Sequence, residues 1–306
     1  MKPLTIVFLL LVATANGFIF SDEGIGNSSF IDNPEAAKFF KTGDVSKGIV
    51  LLAHGLNVRP SKMGTPYNEG TLVHLFVNNG FDVLRITLSG HGSSIDEMKS
   101  VTAGLWLDDA FNAYLSAIDT GSIPIFLCGF SLGALVYEVL MNQENNSEIA
   151  ADKKTPVVFK KAVLFSPAVA IKKSAHNILM LNTFIKDDSI IDSVSPAQYR
   201  AQKGASIAAY KSLFLLEADL IKYRFKQSNI PTLVFIDPND ELISHAGLQK
   251  HISEFSLTNW NLIKISNDGA SIRPKYHHLL IDSKCVSSAV WKKISWQIIH
   301  FFNSNL

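Results

Sequence analysis

Ser131 stands at the centre of Gly129-Phe130-Ser131-Leu132-Gly133, where the apolar run 123–128 meets a helical pattern at 132–142. A G-x-S-x-G between strand and helix makes a sharp turn that lifts the serine hydroxyl to the sheet edge, as a nucleophile requires. The glycines meet a steric need, because strand and helix backbones approach closely there and side chains would collide. The amino end of the helix adds partial positive charge beside a developing anion.

A serine hydroxyl is a poor nucleophile near neutral pH and needs a base, together with a group that orients the base. Tyr276-His277-His278-Leu279-Leu280 supplies two histidines in a loop before the final helix, and either could reach Ser131. The histidines at 176, 245, 251 and 300 fall in helical patterns and read as surface or packing residues. An orienting acid should follow the apolar run 232–236, where Asp237-Pro238-Asn239-Asp240-Glu241 offers competing carboxylates. Asp237 precedes a proline and reads as a turn builder; Glu241 opens the next segment, which leaves Asp240 best placed. A tetrahedral intermediate also needs N–H donors. Leu132, directly after Ser131, and Leu56, in the turn His54-Gly55-Leu56-Asn57, are the expected pair. His54 reads as a structural turn residue, and Ser89-Gly90-His91-Gly92-Ser93 as scaffold beside the pocket.

The elements that must position these groups show a regular rhythm. Short apolar runs at 48–53, 81–87, 123–128, 161–165, 232–236 and 261–265 alternate with helical patterns at 69–79, 101–119, 132–142 and 246–255, and a final helix spans 286–302. Continuous apolar strands separated by helices predict an α/β architecture, with a mostly parallel central sheet and helices on both faces. The stretch 171–230 breaks the rhythm with helical patterns of its own, at 176–185 and 205–224. Its length in a compact domain predicts a helical lid. The core then comprises 18–170 and 231–306.

Residues 1–17 carry a charged start, the apolar run 4–13 and small residues at Ala13, Ala15 and Gly17, the layout of a secretory signal peptide. A secreted or periplasmic location is therefore expected. Cys128 and Cys285, the two cysteines of the chain, are expected to be thiols and not a disulfide framework. The composition is 47% apolar and 18% charged, which excludes a disordered tail or a coiled coil. Lysine and arginine number 28 against 27 acids, a net charge of +1 that gives no electrostatic reason to expect nucleic acid as a partner.

The motifs together resemble the α/β-hydrolase superfamily, and within it the monoglyceride lipase and lysophospholipase-like serine hydrolases, over residues 47–303. The resemblance rests on His-Gly-Leu at 54–56, Gly-His-Gly at 90–92, Gly-Phe-Ser-Leu-Gly at 129–133, Asn-Asp-Glu-Leu-Ile-Ser at 239–244 and Tyr-His-His-Leu-Leu-Ile-Asp at 276–282. The order Ser131, acid, histidine is the order of that superfamily. In this branch the base commonly opens a His-x-Leu-x-x-acid pattern, which His277, Leu279 and Asp282 fit, so the resemblance implies His277 as the base. Two departures stand out. Leu88-Ser89 precedes the Gly-His-Gly turn in place of an aspartate or arginine, and the amino-terminal strands of the usual sheet are hard to find between 18 and 47.

The resemblance implies an α/β-hydrolase fold and a serine esterase with the triad Ser131, Asp240 and His277. It implies no metal and no organic cofactor. An apolar lid points to a small-molecule or lipid ester as substrate, of the monoacylglycerol or lysophospholipid type, with transient membrane-surface contact through the lid. A thioesterase, amidase or peptidase would use the same triad, and a hydrolase-fold binding protein would keep the pocket without turnover.

Overall fold

Side chains along β2 (Ile49–Ala53) alternate between two separate cores: Ile49, Leu51 and Ala53 enter one, Val50 and Leu52 the other, and all are fully buried. Burial on both faces is why the run reads as continuously apolar. The computed structural model describes residues 33–304, apart from 44, 93, 122, 143–154, 178–184 and 223–227. The signal-peptide expectation for 1–17 lies outside the described residues.

The strands are β1 (Lys38–Phe40), β2, β3 (Asp82–Arg85), β4 (Ile125–Phe130), β5 (Ala162–Phe165), β6 (Ile190–Asp192), β7 (Gly204–Ser206), β8 (Thr232–Ile236) and β9 (Trp260–Lys264). Seven of them form one sheet in the order β1-β3-β2-β4-β5-β8-β9. Every pairing in it is parallel except β1 with β3. The helices are α1 (Leu72–Val77), α2 (Ile95–Lys99), α3 (Ala103–Ile118), α4 (Leu132–Met141), α5 (Lys173–His176), α6 (Ile207–Lys222), α7 (His245–Glu254) and α8 (Ser288–Asn303). Buried side chains of α1 and α8 pack on one face of the sheet, and those of α3, α4, α6 and α7 on the other. This is the α/β sandwich expected from the alternating pattern.

Helix α8 shows how local sequence sets the packing. Trp291, Ile294, Ile298 and Phe302 recur at helical spacing and are buried. The Phe302 ring centroid lies 4.7 Å from that of Phe126, 5.6 Å from Phe76 and 5.8 Å from Phe81. Ser287 caps the first turn, its hydroxyl accepting from Val290 N–H at 3.2 Å. Lys161 holds the last turn by donating from Nζ to Phe301 O at 2.6 Å and to the carbonyl of Ser304. A cation on the exposed carbonyls of a helix carboxyl end is favourable.

The amino-terminal strand hidden from the sequence is β1, three half-buried residues on the antiparallel edge. Buried Arg85 ties the preceding segment down. Its guanidinium donates to Pro34 O at 2.6 Å and Gly64 O at 2.9 Å and lies over the Phe40 ring.

β5 and β8 are hydrogen-bonded neighbours, yet residues 166–231 separate them in sequence. That excursion contains α5, the two-stranded sheet β6–β7, a short 3-10 turn at Ala197–Tyr199 and α6. α6 covers the helical pattern expected at 205–224. The earlier pattern, 176–185, meets α5 only at His176, where that helix ends, and 178–184 lie outside the described residues. α6 packs against α4, α2 and α3, while 199–202 lie along 57–59, as described below. Cys128 and Cys285 are free thiols, both buried. Among the described residues no helix is long and apolar enough to cross a membrane.

Candidate active site

The carboxyl ends of the parallel strands are where open α/β sheets place their sites, and the turn after β4 carries Ser131. Its backbone, φ 50° and ψ −112°, lies outside the ordinary regions for a residue with a side chain. Three backbone bonds hold it there. Ser131 N–H donates to Phe165 O at 3.0 Å, and its own carbonyl accepts from Ala168 N–H at 3.1 Å and Leu135 N–H at 3.2 Å. The flanking glycines are sterically required: a Cβ at Gly129 would lie 2.8 Å from Ala134 Cα, and one at Gly133 would lie 2.7 Å from the backbone of Ala53. Any side chain there would push α4 off the sheet.

Asp240 follows β8 and is fully buried. Its Oδ1 accepts from the N–H groups of Leu242 and Ile243, both at 2.8 Å. Burial alone would raise this carboxyl. The His278 imidazole, with its hydrogen bond and that of Ile243 N–H, outweighs burial and holds it below the ordinary carboxylate value. Asp240 therefore stays ionised and accepts from His278 Nδ1–H at 2.9 Å.

With the Nδ1 proton held by Asp240, Nε2 of His278 carries the lone pair, and it lies 3.0 Å from Ser131 Oγ. Serine hydroxyl, imidazole and carboxylate thus form a continuous hydrogen-bonded chain. Only 7% of Ser131 and 5% of His278 are solvent-exposed, so little water competes for these bonds. The Phe130 ring, 5.0 Å from that of His278 between centroids, shields one side of the imidazole.

The base indicated by the resemblance was the neighbouring histidine, and the geometry corrects it. His277 Nδ1 bonds Asp237 Oδ2 at 2.9 Å instead. Glu241 accounts for the divergence. Its two carboxylate oxygens accept the backbone N–H of His277 at 3.0 Å and of His278 at 2.9 Å. With both amides drawn to one carboxylate, the adjacent side chains leave the turn separately, one toward Asp240 and the other toward Asp237. Asp282, which completed the pattern pointing to His277, has a structural position instead: it accepts from Tyr199 O–H at 2.7 Å and from the N–H groups of Lys284 and Cys285, each at 2.8 Å.

Leu132 begins α4, so its N–H has no acceptor within the helix. Leu56 belongs to the turn after β2, which packs directly on the serine: a Cβ at Gly55 would lie 3.1 Å from Ser131 Cβ. Within that turn His54 donates from Nδ1 to Gly55 O at 2.9 Å, while its Nε2 accepts from Leu88 N–H at 3.1 Å. Burial, then neighbouring His91, keeps the His54 imidazole well below its ordinary pKa and hence neutral, as acceptance at Nε2 demands. His91, pushed down to about 4 by burial, accepts Asn57 N–H at 2.9 Å in the same neutral form. The two rings, 4.6 Å apart between centroids, pin the turn after β2 to the turn after β3. Glu241, Asn57 and His91 stood out only as members of the quoted segments, and Tyr199, within 171–230, carried no signal.

A mostly parallel sheet with helices on both faces, and a serine at a strand–helix elbow joined to histidine and aspartate, defines the α/β-hydrolase class. Residues 44–267 match the family described as serine aminopeptidase, S33, and the chain belongs to that family. Comparison with curated protein sequences finds no match. Among solved structures, the fold is similar to that of a chain described under LipS and LipT, two metagenome-derived lipolytic enzymes, with a TM-score of 0.64 at 17% identity, covering 89% of this chain and 98% of that one. It is also similar to a soluble variant of monoglyceride lipase from Saccharomyces cerevisiae, TM-score 0.62 at 15% identity, over 87% of this chain and 90% of that one. The monoacylglycerol lipase of Paleococcus ferrophilus gives 0.57 at 16%, over 87% and 99%.

Proposed function

We propose that the protein is a secreted serine ester hydrolase that cleaves acyl-lipid esters of the monoacylglycerol or lysophospholipid type. The observation that carries the catalytic part is the 3.0 Å approach of His278 Nε2 to Ser131 Oγ, with Asp240 behind the imidazole. Ser131 Oγ attacks the acyl carbonyl carbon and passes its proton to His278 Nε2. The N–H groups of Leu56 and Leu132 receive the resulting oxyanion, the latter aided by the positive end of α4. Collapse expels the alcohol, which takes the proton from His278 and leaves an acyl-serine. Water, deprotonated by the same imidazole, then releases the acid and restores Ser131. Asp240 keeps the tautomer correct throughout.

The lipid assignment is supported by the lipolytic activities named for the similar structures. The excursion between β5 and β8 serves as the lid; it presents Leu215 and Ile221 on the outer side of α6, about half exposed, to an acyl chain or membrane surface. Secretion rests on the sequence of residues 1–17 and is checked by the amino-terminal residue of exported protein.

The experiment is a hydrolysis panel of p-nitrophenyl esters from acetate to palmitate, with monoacylglycerol, lysophosphatidylcholine and an aminoacyl p-nitroanilide. Preference for long acyl esters supports the reading. Preference for the anilide would instead favour the peptidase chemistry in the family's description. Fluorophosphonate labelling of wild type but not of Ser131→Ala supports turnover at Ser131, and an unlabelled, folded wild type would show a binding protein.

A further inference from the structure

We infer that Asn57 is a positioning residue that couples the excursion between β5 and β8 to the oxyanion donor at Leu56, an inference that rests on the serine-hydrolase reading above. Asn57 is 4% exposed and adopts φ 55°. Its carboxamide clamps one peptide segment of the excursion from both sides: Oδ1 accepts Gln202 N–H at 2.8 Å, and Nδ2 donates to Gln202 O at 3.1 Å. Its backbone completes the grip, with O accepting Ala201 N–H at 3.0 Å and N–H donating to His91 Nε2 at 2.9 Å. The pairing continues through the antiparallel bridge Val58–Arg200 and the bond from Arg59 N–H to Tyr199 O at 2.9 Å.

The link to the donor is the planarity of one peptide. Gly55 C=O and Leu56 N–H belong to the same trans unit and point in opposite directions. Gly55 O accepts from Val58 N–H at 3.2 Å as well as from His54. Holding Val58 thus holds the carbonyl, and through it the direction in which Leu56 N–H points. Val58 is held in turn by residues 199–202. Release of the Asn57 clamp loosens 57–59, leaves the Gly55 carbonyl held by His54 alone and lets the 55–56 peptide turn, so the oxyanion loses alignment while α6, packed on α2, α3 and α4, stays in place.

Asn57→Gly tests this, because glycine accepts the positive φ and removes the side chain with its carboxamide. Activity is expressed per fluorophosphonate-titrated site, which separates misalignment from loss of folded protein. The expected result is a fall in kcat of about 10- to 100-fold, somewhat less than deletion of a donor, with KM little changed. Affinity for a trifluoromethyl ketone, which forms a tetrahedral adduct, should fall in proportion. Asn57→Asp, which keeps the acceptor for Gln202 N–H but loses the donor, should lie between the two and serves if the glycine variant does not fold. Unchanged kcat per titrated site in these variants overturns the inference, as does a loss confined to the number of titrated sites or to KM. An unlabelled wild type overturns the serine-hydrolase reading, and this inference with it; a labelled wild type with an unaffected Asn57→Gly overturns this inference alone.

Discussion

Ser131 Oγ and His278 Nε2 lie 3.0 Å apart, while the adjacent His277 turns to Asp237. The two histidines should therefore separate cleanly in mutagenesis. His278→Ala should lower kcat by on the order of 10⁶-fold, the loss expected when a triad loses its base. His277→Ala disturbs only the setting of the loop, and a cost of about 1 kcal/mol there keeps the loss within about tenfold. Single-turnover hydrolysis of a p-nitrophenyl ester measures both, and the opposite ranking would return the role to His277.

Asp240→Asn should cost on the order of 10⁴-fold in kcat, because the amide can donate to Nδ1 and favours the tautomer with its proton on Nε2, facing the serine. Since the wild-type carboxyl is held below its ordinary value, its protonation does not set the acid limb of the pH–rate profile. Activity falls with decreasing pH because general-base catalysis needs an unprotonated acceptor for the serine proton. Measured kcat/KM across the acid range checks the direction.

Gly133→Ala places a methyl group 2.7 Å from the backbone of Ala53, which has no side-chain freedom with which to yield. A loss of about 1–3 kcal/mol in unfolding free energy is expected, with slower fluorophosphonate labelling because the elbow moves with α4. Urea denaturation and labelling rates provide the two readouts; unaltered values in both would show that the contact is soft.

Glu138 is the one charged residue of α4, whose ten residues are all buried. Burial pushes its carboxyl from 4.5 up to about 8. The folded state thus keeps a proton that the unfolded chain releases, so this contribution is complete below pH 4.5 and is lost as pH rises through about 8. His91 acts in the opposite sense, its buried neutral ring withdrawing stability as pH falls from 6.5 through about 4. Glu138→Gln should abolish the decline between pH 4.5 and about 8, a difference on the order of 4–5 kcal/mol across that window. Denaturant unfolding on either side of neutrality tests it, and parallel curves for wild type and variant would contradict the assignment.

What could be read from the sequence follows from how local each signal is. The elbow was legible because Gly129 and Gly133 are demanded by contacts between elements adjacent in the chain. Strands such as Thr232–Ile236 were legible because both faces are buried and the run has no polar interruption. Strand β1 was not, since three half-buried residues on an edge give neither an apolar run nor an alternation. Strands β6 and β7, also three residues each, are too short to show either pattern, although β7 is fully buried. The choice between His277 and His278 depended on the amides bound by Glu241, more than thirty positions earlier in the chain, and a short pattern of neighbours does not encode that contact.

The positive φ of Ser131 has an evolutionary corollary. A side chain in that conformation is tolerated only because its surroundings enforce it, at a cost of roughly 1–3 kcal/mol. Glycine would relieve the cost, so Ser131→Gly should yield a chemically inert protein that melts at a higher temperature than its parent. Drift toward sturdiness alone would erase the hydroxyl, and a serine that persists at this corner does so against the preference of the backbone that carries it.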